Sequence, residues 1–308
     1  MIRKLESKIR DYINLPRRQI QIMKNTANWN KLCSALDLIG DTELAIEAYP
    51  SLYSNSNDGV SYLIVYGILQ TLLLQQDAAQ HIADALGLEK IKRPKQLDEI
   101  RVIRNSAAGH PTSQKEKGAY KSCFITRISL SPRSFQMVIT SSNSSEYQYK
   151  TVKIPTLLKI QKTYIAKLLE QVSDELKRQE MEHRSMYQNN KLQDVFPQTL
   201  SYHLDKIYEG TFSPQVFKTG KDNLDAVVSF LKNFKNTLES RSEWEINDSI
   251  KYRYEYIEHA LEQLNKYFIG DSTFNNNDAY IFVSFVAREL NELKAIVKEI
   301  DEKYESEC

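Results

Sequence analysis

The stretch YLIVYGILQTLLLQQDAAQHIADAL, residues 62–86, decides the fold. It predicts one long apolar helix that ends near Gly87, because glycine readily adopts the left-handed conformation found after helices. Its longest apolar run, residues 62–74, is interrupted by Gly67 and Gln70. That run is too short for a membrane span of about 20 residues, so we expect a helix inside a globular protein and no membrane contact.

Helical patterns continue on both sides of this stretch. Upstream, the first helical segment is interrupted at Pro16, a break is expected at residues 40–42, and residues 50–59 predict a polar loop. Downstream, a shorter helix is stopped by Gly109-His110-Pro111. The predicted helices around the central stretch are residues 29–49, 96–108 and 156–186.

Residues 120–154 have a different composition. Three segments are rich in β-branched and aromatic residues and are separated by the turn-forming sequences SPR and SNSSE. This arrangement predicts a small antiparallel β-meander inserted between helices. The three predicted strands are residues 123–130, 135–141 and 147–154.

After Asn189 and Asn190, four further segments carry apolar residues at three- and four-residue spacing. Such stripes are typical of a helical bundle, and their local coiled-coil character leaves a dimerising or partner-binding role open. We therefore predict an all-α protein of helical bundles with a small antiparallel β-meander insertion. The expected domains are residues 1–188, with the insertion at about 120–154, and a C-terminal helical bundle, residues 189–308.

The composition narrows the class of protein further. Lys and Arg total 41 against 40 for Asp and Glu, a net charge of +1, so any nucleic-acid contact has to come from a local patch. The three cysteines, Cys33, Cys123 and Cys308, are odd in number and are not spaced like metal ligands. We therefore expect neither a disulfide framework nor a zinc site. The sequence has no phosphate-binding loop and no signal-peptide pattern, so we expect a cytoplasmic protein without a cofactor.

The segment IRVIRNSAAGHP, residues 100–111, is the one suited to chemistry. A histidine such as His110 can exchange a proton with a ribose hydroxyl or a leaving oxygen. Arg104 can hold a phosphate in two-point geometry and offset the charge that grows on it, and Asn105 can orient either group. These residue types form a minimal set for cleaving RNA without a metal ion, with the adjacent 2′-hydroxyl as the attacking group.

A purely structural interpretation of the same segment is also open. Gly109-His110-Pro111 is a plausible helix end, where the helix dipole favours a histidine. In that interpretation, Arg101 and Arg104 are solvated partners of Asp98 and Glu99.

A narrow polar strip interrupts the apolar surface of the long helix. At about 100° per residue, four polar side chains fall within roughly a 60° arc: Tyr66, Gln70, Asp77 and His81. A buried polar group without a partner costs roughly 1–3 kcal/mol, so something polar should face the strip, and residues 104–110 are the nearest candidates in sequence. We predict that the strip and Arg101 bind substrate or support the catalytic residues. Bonding of Gln70 and Asp77 to backbone or water is the alternative.

Two basic groups flank the motif and are candidates for guiding an RNA backbone toward it, although a solvated surface is the favoured interpretation. The first precedes the motif helix and the second lies in the meander: Lys90, Lys92, Arg93 and Lys95, then Lys121, Arg127 and Arg133.

The RN-x4-H pattern at a helix end resembles the signature of the HEPN superfamily. Its members are small helical bundles that carry an arginine, a polar residue and, four to six residues later, a histidine. Arg104, Asn105 and His110 match these three positions. The YGILQ…QQDA helix, residues 66–78, is also similar to uncharacterised bacterial HEPN-like proteins, and the resemblance covers residues 1–186 at most.

The resemblance implies a homodimer in which the signature segments of two chains meet across a shared cleft. It also implies a metal-independent ribonuclease of a toxin–antitoxin or phage-defence system, with an antitoxin or other defence protein as partner. Arg104 would bind and stabilise the scissile phosphate, His110 would act as general acid or base, and Asn105 would orient them.

Two features leave an alternative open. Thr112 stands where many active members have a tyrosine. Other members bind nucleotides, RNA or proteins without cleaving them, so a non-catalytic binding or scaffold protein is the second hypothesis.

Overall fold

The computed structural model describes residues 1–53, 57–116 and 119–305 of the chain. Over these residues the protein is mainly helical with one small antiparallel sheet, which confirms the predicted fold class. The chain divides into two compact units between Arg178 and Gln179. The sequence placed this boundary later, between residues 188 and 189, at the end of a long helix.

The helices of the first unit begin and end where local side chains favour it. Asn25 Oδ1 accepts a hydrogen bond from the backbone N–H of Asn28 (3.1 Å), and Asn57 Oδ1 accepts one from Val60 (2.9 Å). Gly87, after the long apolar helix, has a φ of +70°. The helices are α1 (Ile2–Ile13), α2 (Pro16–Met23), α3 (Thr26–Ala48), α4 (Asp58–Ala85), α5 (Asp98–Arg104) and α6 (Ile154–Gln188), of which α6 continues beyond Arg178.

Helix α3 is continuous, so the predicted break at residues 40–42 is wrong. The hydroxyl of Thr42 donates to the carbonyl oxygen of Leu38 (2.8 Å), one turn back in the same helix, instead of capping a new one. Gly40 costs only about 1 kcal/mol relative to alanine inside a helix, which is too little to break one with a buried face. Of the predicted loop at residues 50–59, the part before residue 54 forms a 3-10 turn, and residues 54–56 lie outside the described residues.

Helix α4 lies at the centre of the first unit's core. Val65, Leu69 and Leu72 are fully buried, and the helix packs against both α3 and α5. Helix α5 joins the same core through Ile100 and Ile103, which fixes the start of the motif segment on α4. Within the described ranges, no helix combines the length and the apolar character needed to cross a membrane.

The predicted meander is an antiparallel sheet with its strands side by side in chain order. Phe135, Met137 and Val152 belong to the core of the first unit. The predicted strand at residues 123–130 is wrong beyond Ile125, because residues 127–129 form a 3-10 turn that leads to the next strand. The strands are β1 (Gln114–Glu116), β2 (Ala119–Ile125), β3 (Ser134–Ser141) and β4 (Ser144–Lys153).

The second unit is a helical bundle with its own apolar core, as the sequence predicts. A Cβ placed on Gly210 would lie 2.9 Å from the Cα of Gly220, so the two helices that carry these glycines approach closely. The helices of this bundle are α7 (Leu200–Phe212), α8 (Phe217–Ser240), α9 (Asp248–Phe268) and α10 (Asn276–Glu305).

Candidate functional site

The motif segment changes its helical geometry at the residues that carry the signature. Helix α5 ends at Arg104, and residues 105–109 form a π-helical turn closed by a hydrogen bond from the His110 N–H to the Asn105 carbonyl oxygen (2.7 Å). Such single π turns are rare and are frequent at functional sites. Ser106 and Ala107 of this turn are buried, and Ala107 belongs to the core of the first unit, so packing holds the turn in place.

Arg104 is held by two neutral amides. Its Nε and Nη2 atoms both donate to Gln70 Oε1 on α4, at 3.0 and 2.7 Å, and its Nη1 atom donates to Asn105 Oδ1 at 3.1 Å. Both partners are uncharged, and Arg104 makes no ion pair with any described residue. The guanidinium is therefore fixed in direction while its positive charge and part of its donor set stay available to an anion.

Arg101 provides the contrast, one turn earlier on α5. Its Nη1 atom lies 2.6 Å from Asp77 Oδ1 on α4, so this arginine is neutralised by an ion pair. The structural interpretation with Asp98 and Glu99 as partners is wrong, because Asp98 pairs with Arg93 (3.1 Å) and Glu99 pairs with Lys150 (2.7 Å). Of the two motif arginines, Arg104 carries the unpaired charge.

His110 follows the π turn and is exposed. Its imidazole makes no hydrogen bond to a described residue, so it is accessible to a ligand. Its backbone is fixed: the His110 carbonyl oxygen accepts from Gln114 Nε2 (3.1 Å). The next two carbonyls bond to β2, that of Pro111 through the Cys123 N–H (2.6 Å) and that of Thr112 through the Ser122 hydroxyl (2.7 Å).

The predicted polar strip on α4 is brought to the motif only in part. Gln70 and Asp77 contact α5 as described, which answers the expectation that something polar faces them. Tyr66 instead packs against Tyr62, with ring centroids 5.8 Å apart. Burial is the main cause that raises the pKa of Tyr66, and the neighbouring Tyr62 adds to it. His81 is exposed and makes no hydrogen bond to a described residue. The strip therefore contributes Gln70 to the site and Asp77 to the attachment of α5.

Two structural features, one at the site and one in the core beside it, were not predicted from the sequence. Gly109 lies against the Arg104 guanidinium, whose Nη1 atom is 2.6 Å from the position of an added Cβ. From the sequence, this glycine was interpreted only as the end of a helix. The fully buried glutamines of α4 are Gln75 and Gln76 rather than the strip residues, and both bond to Gln161 of α6 at 3.0 and 2.9 Å. The adjacent QQ pair in an apolar helix was the available signal, because buried amides require partners.

Cys123 lies next to the motif but is a poor nucleophile. Burial raises the pKa of its thiol, and the contacts with Ser106 and Lys121 only partly oppose that effect. A thiol that stays protonated reacts slowly, since the thiolate is the nucleophile. Cys123 therefore acts as packing between β2 and the π turn.

The basic residues around the motif differ in how free they are. Lys90, Lys92 and Lys95 are exposed in the segment between α4 and α5, whereas Arg93 is paired with Asp98. Arg133 stacks over the Tyr53 ring at 5.4 Å. Among these basic residues, Lys90, Lys92, Lys95 and Arg127 are exposed, whereas Arg93 and Arg133 are held by neighbouring side chains.

Among the residues that the structure describes, no group of three or more His, Cys, Asp or Glu side chains is arranged to hold a metal ion. The signature residues Arg104 and Asn105 contact each other directly, and His110 is joined to Asn105 through the π turn. Comparison of the chain with protein-family models, with curated proteins and with solved structures finds no match.

Proposed function

We propose that this protein is a metal-independent endoribonuclease of HEPN type. The observation that carries the proposal is the setting of Arg104, which Gln70 and Asn105 hold in one direction without neutralising it. A structural arginine at a partly buried position is normally paired with a carboxylate, as Arg101 is with Asp77. A guanidinium positioned by amides is instead prepared for an anionic ligand such as a phosphate.

The chemistry follows from this arrangement and needs only the substrate's own nucleophile. The ribose 2′-oxygen attacks the adjacent phosphorus, the bond from phosphorus to the 5′-oxygen breaks, and a 2′,3′-cyclic phosphate and a 5′-hydroxyl are formed. One group removes the 2′-hydroxyl proton and another protonates the leaving oxygen, and the exposed imidazole of His110 is suited to either step. Arg104 stabilises the charge that develops on the phosphate oxygens.

A homodimer supplies what a single chain lacks. One His110 imidazole cannot act as base and acid on opposite sides of the same phosphorus in one step, whereas two copies that face each other provide both. The exposure of His110 and Asn105 supports such an arrangement, since both side chains are accessible to a second chain or to RNA. The biological role that we propose is a cytoplasmic toxin or phage-defence component, with an antitoxin or another defence protein as partner.

The second candidate is a non-catalytic HEPN-like binding or scaffold protein that recognises a nucleotide, RNA or a protein. One observation favours it: the His110 imidazole lacks a hydrogen-bond partner among the described residues, whereas catalytic imidazoles are normally oriented by one. In that case Arg104 captures a phosphate, and no bond is broken.

Cleavage of a labelled single-stranded RNA in the presence of EDTA separates the two candidates. For the nuclease we expect cyclic-phosphate products with EDTA present, a rate lower by about 10²- to 10⁴-fold for His110→Ala, and a similar loss for Arg104→Ala. His259→Ala is the matched control, because His259 is an exposed histidine on α9. Activity that disappears with EDTA, or that survives in His110→Ala, contradicts the mechanism. Binding without turnover supports the second candidate.

A further inference from the structure

The sheet has two faces of different character. The strand register places Cys123, Phe135 and Met137 on one face of β2 and β3, where all three are buried, and the residues between them form an outer face. When one face of an antiparallel sheet packs on a core, the opposite face is exposed to solvent and is normally polar. Here it carries large aromatic side chains instead.

The strand register shows how these aromatics are arranged. Phe124 on β2 is opposite Val138 on β3, and Val138 is opposite Tyr149 on β4, so the three form one row across the sheet. Val138 is buried, whereas Phe124 and Tyr149 are each more than half exposed. Their backbones are two strand spacings apart, roughly 10 Å. Tyr120, also more than half exposed, lies on the same face of β2 and opposite Lys115 on β1.

The side chains around these rings can form hydrogen bonds or carry positive charge. Ser122, Gln136 and Thr140 lie between the aromatic positions on β2 and β3, and Lys153 on β4 is opposite Ser134. No aspartate or glutamate occupies an outer-face position among the regularly paired residues whose side chains the structure describes. The face is therefore aromatic, able to form hydrogen bonds, and uncompensated in charge.

The charge of the insertion points to the class of ligand. Of the basic residues in the insertion, Lys115 and Lys153 are exposed on the outer face, whereas Lys150 lies on the inner face and pairs with Glu99. Two exposed lysines beside exposed aromatic rings, on a face without a described carboxylate, are complementary to a phosphate backbone with unstacked bases.

The sheet is also joined to the motif. The chain passes from His110 into β1 within four residues, and β2 bonds to the carbonyl groups of Pro111 and Thr112. A nucleic-acid strand on the outer face would thus contact a sheet whose strand β2 bonds directly to the two residues after His110.

We propose that the outer face of the sheet binds single-stranded RNA, with bases stacked on Phe124, Tyr149 and Tyr120 and phosphates near Lys115 and Lys153. This inference rests on the proposed function, for which it names the substrate class: unpaired RNA rather than duplex. In a duplex the bases are stacked on one another and are not accessible to the rings.

The test is binding of a fluorescent single-stranded RNA of about 12 nucleotides with 2′-O-methyl riboses, which cannot be cleaved by the proposed route. The double variant Phe124→Ala/Tyr149→Ala should bind at least about 10-fold more weakly, because each lost stacking contact accounts for about fivefold or more. The control is Tyr252→Ala, an exposed tyrosine on α9, which should bind as the unchanged protein does. A duplex of the same sequence should compete poorly.

A second, independent variant tests the charges. Lys115→Ala/Lys153→Ala should reduce the slope of log affinity against log salt by about 1.4, since each phosphate contact of a single strand contributes about 0.7. Circular dichroism confirms that the variants are folded.

Two results overturn the inference. One is unchanged RNA affinity in both double variants. The other is a change of oligomeric state by sedimentation velocity in Phe124→Ala/Tyr149→Ala, which assigns the face to contact between copies of the chain. The nuclease proposal fails separately: RNA that binds through this face but is not cleaved contradicts the catalytic role and leaves the binding role supported. Normal cleavage by the double variants, with normal affinity, contradicts only the binding face.

Discussion

The Nη1 atom of Arg104 lies 2.6 Å from the position that a Cβ on Gly109 would occupy. The arginine side chain folds back over the π turn and rests on the one residue that has no side chain. Asn105 Oδ1 is the other nearby group, at 3.4 Å from the same position. Gly109 thus serves the placement of a charge rather than a backbone conformation, since its φ is not in the left-handed region.

Gly109→Ala should separate activity from stability. The added methyl group displaces the guanidinium, which is the flexible end of a side chain, so the fold is not strained and alanine is the better helix former by about 0.5–1 kcal/mol. We expect unchanged or slightly raised thermal stability, together with RNA cleavage about 10- to 100-fold slower because the arginine is misplaced. Gly67→Ala is the control, since nothing lies within 4 Å of a Cβ there. Equal cleavage by Gly109→Ala and the unchanged protein would refute the role assigned to Arg104.

Gln70→Glu tests whether the charge of Arg104 has to be unpaired. The new carboxylate would accept the same two hydrogen bonds and hold the guanidinium in place while neutralising it. We expect stability to stay equal or to rise by about 0.2–1 kcal/mol, and RNA cleavage to fall about 10-fold or more. Thr71→Glu adds the same charge to the next residue of α4, whose hydroxyl donates to the Gly67 carbonyl oxygen (2.9 Å), and should have a smaller effect. Full activity in Gln70→Glu would show that placement alone matters.

Gln161→Leu should destabilise the first unit. The Gln161 amide donates to Gln75 Oε1 and to the Leu72 carbonyl oxygen and accepts from Gln76 Nε2, all in the buried core between α4 and α6. Leucine removes these three hydrogen bonds and leaves the Gln76 Nε2 and Gln75 Oε1 atoms unpaired, although Gln75 keeps its bond to Glu43, and each unpaired buried group costs about 1–3 kcal/mol. We expect a loss of about 3 kcal/mol in the free energy of unfolding, measured by urea denaturation. Thr163→Ala, an exposed position on α6, should change it by no more than about 0.5 kcal/mol.

Gly220→Ala should destabilise the second unit for a steric reason. A Cβ on Gly220 would lie 2.9 Å from a Phe268 ring carbon and 3.0 Å from the Cα of Gly210, and the backbone cannot yield as a side-chain end can. We expect a loss of about 1–3 kcal/mol in a thermal or urea unfolding experiment. Nothing lies within 4 Å of a Cβ added to Gly40, so Gly40→Ala should instead raise the free energy of unfolding, by up to about 1 kcal/mol. If both variants changed the free energy of unfolding in the same direction, the close approach of α7 and α8 would be contradicted.

The sequence was a good guide where a feature depends on neighbours along the chain. The periodicity of residues 62–86 predicts α4, and Gly87 marks its end because a left-handed residue is needed there. It was a poorer guide where two tendencies compete. Gly40 and Thr42 favour a break when considered alone, but the buried face of α3 keeps the helix continuous. Likewise β2 ends at Ile125, although the following residues have the composition of a strand.

The candidate site shows the same limit. The sequence predicts that Arg104, Asn105 and His110 act together and that a polar strip of α4 faces them. Helical phase alone cannot show which strip residues make contact, and only Gln70 and Asp77 do so, while Tyr66 pairs with Tyr62. The partners of Arg101 and Arg104 on α4, Asp77 and Gln70, are 24 and 34 residues away in the chain, so local spacing pointed to Asp98 and Glu99 instead.

The sequence by itself determined the helical class of this protein, the inserted sheet and the segment that carries the arginine and the histidine. Each of these depends on side-chain periodicity or on a short motif, which residues close in the chain define. Only the tertiary structure decided that Arg104 is held by amides and makes no ion pair with a described residue, that Gly109 lies against its guanidinium and that aromatic rings occupy the outer face of the sheet. Those properties depend on which distant side chains packing brings within hydrogen-bonding distance, and packing is a property of the whole folded unit.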